Sequence, residues 1–274
     1  MKNKSIEFNH FILTRFNLRA PWTHGDPDAH LGLDEGWLER RFELFEKVCL
    51  PSLVRQTETA FQWLLLLDHE TPERFVKRME EWSFKYPFFN PIYLKKEDEA
   101  LILKEMNERT DFDHARIMTR LDNDDAIRPR MIENIQSMAR KYCQSNHLKR
   151  GFFISFPMGY SENLDGVYLQ RFRYNPFASF VSSSDYQRTI LYWDHTKITD
   201  VAPVYFKYTW PMWCQVIHDE NVANTIRGIY LPWGWRRNLS THTKELKRRS
   251  FAWQCAEVWK SFKIYFLKRG RRKR

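Results

Sequence analysis

"HARIMTRLDNDDAIRP", residues 114–129, runs from an apolar stretch straight into four acidic or amide side chains and then into a proline. Residues 114–121 read as a buried strand, so the acidic group lies at a strand end. Asp122 and Asp124 are two apart, which in extended chain puts both side chains on one face. Carboxylates this close repel, and a cation offsets them. Hard oxygen ligands suit Mg²⁺ or Mn²⁺, which bind through one or two carboxylates plus substrate phosphates.

Two other local readings compete. A calcium loop starting at Asp122 would place Glu133 at its twelfth position, but Ile127 stands where that loop needs glycine and Pro129 intrudes. A helix cap is the plainer alternative: Asp124 or Asp125 would cap the helix that follows Pro129, with no ligand involved.

The segments before this stretch alternate. Residues 10–16, 61–68 and 89–94 read as strands, separated by helices. In the first helix Trp37, Leu38, Phe42, Phe45, Val48 and Cys49 recur at helical spacing, and Pro51 interrupts near its end. Strand–helix alternation of this kind predicts an α/β domain with a mainly parallel sheet, whose ligands bind outside the carboxyl ends of the strands. The acidic cluster is at such an end. Beyond about residue 151 the pattern changes to short, aromatic-rich strands or hairpins, with no linker between the halves.

The chain has 274 residues, 43% of them hydrophobic, ample for a packed core. Its net charge of +10 is local: residues 244–274 hold twelve Lys or Arg and two acids, leaving 32 basic and 32 acidic residues before them. Cys49, Cys143, Cys214 and Cys255 stand far apart without a CxxC pair, which argues against a zinc site and predicts buried free thiols in a reducing compartment. No run approaches the roughly 18 apolar residues of a membrane span, and the first residues lack the apolar run of a signal peptide. A cytoplasmic body is expected.

Six ordered segments, "LTRFN" (13–17), "RFELFEKVCLPSLVRQT" (41–57), "FQWLLLLDHETP" (61–72), "TRLDNDDAI" (119–127), "NPF" (175–177) and "WCQVIHDENV" (213–222), together resemble the bacterial rhamnosyltransferase family. The resemblance implies an A-type glycosyltransferase fold, with a Rossmann-like, mainly parallel central sheet and helices on both faces. It implies a nucleotide-sugar donor, with Asp122 facing the ribose or the metal, Asp124 binding a divalent Mn or Mg ion on the diphosphate, and His218 completing the metal site. Thr14, Arg15 and Asn17 after the first strand, Asp68 ending the second, and Arg120 before the acidic cluster would hold the nucleotide. An inverting transfer also needs a carboxylate base, for which Asp219 and Asp185 are the candidates.

The last segment predicts a C-terminal amphipathic basic helix. Phe251, Cys255, Val258, Trp259, Phe262, Tyr265 and Phe266 share one face, with Lys260, Lys263 and Lys268 away from it. Such a helix suits the inner face of the cytoplasmic membrane, where a lipid-linked acceptor would be met. Packing of that helix on the domain is the alternative. The neutral body and the lack of a recognition motif exclude nucleic acid. The expected organisation is a single glycosyltransferase domain over 1–243, its nucleotide-sugar half 1–130 and its acceptor half 131–243, followed by the basic helix and tail, 244–274. The rival functions are a metal-dependent phosphohydrolase and a non-catalytic membrane-associated scaffold.

Overall fold

A computed structural model describes residues 7–18, 30–110, 114–143, 145–218, 226–232 and 250–270. The first half alternates as the sequence predicts. Strand β1 (Phe8–Arg15) leads to helix α1 (Glu35–Leu44), which widens into a π turn at Phe45–Cys49 and continues as α2 (Leu50–Val54). Asp34 caps α1 by accepting from Trp37 N at 2.7 Å. Pro51 has no N–H to return to the preceding turn, and Leu50 N bonds five residues back to Phe45 O. Then come β2 (Gln62–Asp68), α3 (Glu73–Lys85), β3 (Phe89–Leu94), α4 (Glu99–Glu108) and β4 (Ala115–Arg120).

After the acidic turn the elements shorten. They are β5 (Ala126–Ile127), α5 (Met131–Tyr142), α6 (Ser145–Arg150), β6 (Phe152–Ser155), β7 (Met158–Asn163), β8 (Gly166–Arg171), β9 (Ser179–Ser182), β10 (Val204–Phe206), β11 (Trp213–Val216), β12 (Ile229–Leu231) and α7 (Phe251–Gly270). The helix-cap reading of the acidic turn is not realised. No side chain at the N-cap of α5 bonds its first turn; instead Gln56 Oε1 accepts from Ile132 N at 3.2 Å, while Gln56 Nε2 donates to Ser52 O and Arg128 O.

The strands form two sheets. Seven lie in the order β10-β6-β9-β4-β1-β2-β3 and five in the order β12-β8-β7-β11-β5. The expected A-type architecture, built on one mainly parallel central sheet, is therefore corrected: the chain folds as an α/β protein with two separate sheets. Parallel pairing holds where helices supply the crossovers, between β1 and β2, β2 and β3, and β1 and β4. Strand β9 then enters antiparallel to both β4 and β6. In the second sheet β7 and β8 form a tight hairpin, in which Asn163 Oδ1 accepts from the N–H groups of Asp165 and Gly166. Such short connections permit antiparallel pairing without a helix, which is why the alternation of the first half does not carry on.

Side chains of the large sheet alternate between two cores. Ile12, Trp63, Leu65, Ile117 and Phe152 pack against α1, α2, α3 and α5, while Phe11, Leu13, Leu64, Met118 and Phe153 pack against the α4 side. Helices cover both faces. A smaller cluster of Val48, Ala126, Cys214 and Val216 joins the π turn to the second sheet. There Gly159 lies under Trp213, where a Cβ would come within 2.2 Å of the indole. Trp213 stacks on Phe177 at 4.9 Å and donates to Phe156 O, and Asn175 bonds the backbone around Phe156 and Phe172. The "NPF" and "WCQV" segments are thus joined by packing. All four cysteines are free; Cys49, Cys143 and Cys214 are buried as expected, but Cys255 is exposed.

Within the first core His10 is buried, its Nε2 2.9 Å from Thr119 Oγ1, which is 2.7 Å from Ser179 Oγ. Burial lowers the His10 pKa to about 3. The unfolded chain takes up this proton below about pH 6.5, whereas the folded chain does not until about pH 3, so stability falls as pH drops across that window. Between pH 7 and 5 the wild type should lose about 2 kcal/mol more unfolding free energy than His10→Asn, measured by denaturant titration at both pH values. Equal losses in the two proteins would refute the assignment.

Candidate functional site

The carboxyl ends of β1, β2, β3 and β4 bring a dense set of charges to one edge of the large sheet. Arg15 closes β1 and forks onto Glu97, which follows β3, with Nε and Nη2 at 2.9 and 2.8 Å from its two oxygens; Nη2 also donates to Leu191 O. Arg120 closes β4 and turns back to Asp122 at 3.3 and 3.4 Å. The charge of Asp122 raises the Arg120 pKa, while burial lowers that of Arg15 against the pull of Glu97.

The acidic turn itself is divided residue by residue. Asn123 Nδ2 donates to Phe16 O at 2.8 Å, fastening the turn to the end of β1. Asp124 Oδ2 accepts from Arg41 Nη1 and lies against His218 Nε2, both at 2.8 Å. Asp125 Oδ1 accepts from Val216 N at 2.9 Å, tying the turn to β11 of the second sheet. Below them Cys49 Sγ of the π turn reaches Asp122 O. Asp125 therefore serves the joint between the sheets, and its neighbour Asp124 faces the chain that carries His218.

Environment separates the two buried acids. Burial opposes ionisation of Asp124, but the His218 hydrogen bond and the Arg41 charge outweigh it and hold its pKa below the usual carboxylate value. For Asp125, burial, then the charges of Asp124 and Asp122, outweigh the Val216 hydrogen bond and the Arg120 charge and push its pKa far up. The two neighbouring carboxyls are thus shifted in opposite directions. Burial, then the charges of the three acids, likewise pushes the Cys49 thiol up, which disfavours its thiolate.

The remaining sequence candidates lie in different parts of the structure. Thr14 is fully buried on the sheet face, accepting from Trp63 Nε1 at 2.8 Å, and belongs to the core. Asn17 is a structural hub at the site's edge: Nδ2 donates to Gly32 O and Thr71 Oγ1, and Oδ1 accepts from Asp68 N. Asp68 is buried at the end of β2, where its Oδ1 accepts from Glu70 N. Asp185 lies past the end of β9, beside Arg116 at the start of β4, at the opposite end of the sheet from Asp122. Asp219 lies outside the described residues.

One arrangement among the described residues offers a set of cation ligands. Asp68, His69 and Glu70 are, among the described residues, the three whose ligand atoms lie within 4.8 Å of one another, and this set could hold a divalent ion. Asp122, Asp124 and His218 do not form such a set, because Asp122 faces Arg120. Asp124 Oδ2 and His218 Nε2 meet instead as a hydrogen-bonded pair at 2.8 Å. The sequence reading missed Arg41 and Glu97. A signal for Arg41 existed: it is three residues after Leu38 and four before Phe45, a charge on the apolar face of a helix, where a buried partner is required.

Residues 9–230 match the family described as "Putative rhamnosyl transferase", and the chain belongs to that family. Among solved structures, S. aureus TarS residues 1–349 with UDP is 11% identical at a TM-score of 0.44, covering 77% of this chain and 61% of that one. The same fragment in a second structure gives 11% identity and 0.39 over 76% and 60%, and a longer TarS structure gives 8% and 0.43 over 77% and 37%. The chain thus spans less than two thirds of the length of these proteins, and at such scores the likeness carries no argument about fold or ligand. No curated protein matches.

Arg41→Ala should destabilise the fold by about 3 kcal/mol, since it leaves a buried carboxylate with one cationic partner fewer. The double variant Arg41→Ala/Asp124→Asn should lose clearly less than the sum of the two single losses. Thermal and denaturant unfolding of the four proteins measure this, and strict additivity would show that the pair does not interact.

Proposed function

We propose that the chain is a metal-dependent glycosyltransferase that moves a sugar, rhamnose by the family's description, from a nucleoside-diphosphate donor to a glycan or lipid-linked acceptor of the cell surface. In this reading transfer is inverting, the cation is Mn or Mg, and the enzyme works peripherally at the inner face of the cytoplasmic membrane. The observation that carries it is the contact of His218 Nε2 with Asp124 Oδ2, which joins the acidic turn to a residue 94 positions later at the carboxyl edge of the sheet.

Asp124 and His218 would hold the cation, and Asp122 would leave Arg120 to face it or the ribose. When bound, the ion supplies positive charge against the diphosphate leaving group. Arg15 and Arg120 are fixed cations beside the same edge and orient the donor phosphates; their carboxylate partners Glu97 and Asp122 keep them extended in its absence. Arg41 neutralises Asp124 without leaving its helix. Asn17 and Asp68 shape the floor of the nucleotide pocket, and Thr14 supports it from beneath. Of the two candidate bases Asp219 is retained, as the neighbour in sequence of His218. Asp185 is at the wrong end of the sheet to meet an acceptor.

A panel of nucleotide sugars, followed by thermal shift and by donor hydrolysis with and without Mn²⁺, tests the proposal. Wild type should show metal-dependent binding of at least one donor, and Asp124→Asn should lower turnover by about 100-fold or more. Equal metal dependence in Asp124→Asn would remove the cation from this residue. Phosphate release from simple phosphomonoesters without donor binding would instead favour a phosphohydrolase.

A further inference from the structure

Helix α7 presents two faces of different fate. One packs on the second sheet: Tyr230 N donates to Ser261 Oγ at 2.9 Å, the Tyr230 and Trp253 rings meet edge to face at 5.5 Å, and Tyr168 OH donates to Glu257 Oε1. Trp253, Glu257 and Ser261 recur every four residues, and Val258 beside them is half-buried.

The other face is aromatic and exposed. Phe251 is 82% exposed, Trp259 62% and Phe262 43%, with the exposed Cys255 between them. Positions 251, 255, 259 and 262 fall within a sector of about 80° at 100° per residue. Lys260 and Lys263 occupy the neighbouring exposed sector, and Lys263 Nζ lies 5.1 Å from the Trp259 ring centre. No described helix is long and apolar enough to cross a membrane. Ordinary amphipathic packing would bury this stripe, yet the body is held by a different one.

We propose that this face of α7 is the docking surface for an anionic lipid bilayer, with Phe251, Cys255, Trp259 and Phe262 entering the headgroup boundary and the lysines on lipid phosphates. Charge decides the occupant. Residues 244–274 hold twelve basic and two acidic side chains, so a second copy of the chain would bring like charge against like. A narrow convex ridge of aromatics bordered by lysines needs no complementary groove, and a fluid headgroup layer provides none. Because the opposite face is fixed to β12, docking also sets the orientation of the whole domain. The inference deepens the proposed function by naming the surface that brings the site to a lipid-linked acceptor, and it rests on that reading only for its purpose.

Co-sedimentation of the full chain with vesicles tests it. Wild type should bind vesicles containing phosphatidylglycerol and bind phosphatidylcholine alone at least about 10-fold more weakly, with high salt reducing the former. Phe251→Ser/Trp259→Ser and Lys260→Glu/Lys263→Glu should each lower binding about 10-fold with unchanged thermal unfolding. Phe84→Ser, at an exposed phenylalanine on α3, should bind as wild type. Equal binding by all variants, equal binding to both vesicles, or a dimer in light scattering that Trp259→Ser dissolves would each overturn the proposal. Donor binding in solution is measured on the same proteins: its loss with vesicle binding intact counts against the glycosyltransferase reading alone.

Discussion

The carboxylate of Asp124 is buried where three parts of the chain meet, and its charge must be answered there. Arg41 from α1 and His218 from the segment after β11 both answer it at 2.8 Å. A buried carboxylate left unpaired costs several kcal/mol, so the helix, the end of β4 and the second sheet cannot separate without exposing or stranding it. The seam also has an apolar component, Val48 against Ala126, Cys214 and Val216, and a backbone component, Asp125 on Val216 N. The same contact that orients the site thus holds the two sheets in one body.

That coupling shifts neighbouring acids in opposite directions. The His218 hydrogen bond and the Arg41 charge outweigh burial and lower the Asp124 pKa, whereas burial and two negative neighbours raise that of Asp125. Asp122, the most exposed of the three acids, is met by Arg120 from its own strand. The three acids thus differ in role, Asp122 turned outward to Arg120, Asp124 held by Arg41 and His218, and Asp125 tied to the backbone of the second sheet.

The family segments divide in the same way between support and chemistry. Asn17 in "LTRFN" closes the loop at the ends of β1 and β2, Asn175 in "NPF" secures the start of the second sheet, and Trp213 in "WCQV" packs across Gly159 onto Phe177. These residues position the edge on which Arg15, Arg120, Asp122, Asp124 and His218 sit. Thr14 belongs with them rather than with the site, since its hydroxyl accepts from Trp63 in the core.

Apolar periodicity is a local property, so the elements of the first half were legible from the residues alone: 89–94 form the expected strand, and the helices and strands before β5 follow their patterns. The acidic turn at the end of β4 and the helical, amphipathic, basic character of the C-terminal segment were legible for the same reason. The second sheet was not, since short strands choose partners through turns and packing that no period encodes. Nor could local pattern show that Arg41 guards Asp124 or that Asp185 lies at the far end. These are facts of distance between residues remote in sequence, and they follow from where the folded chain can offset the desolvation of a charge.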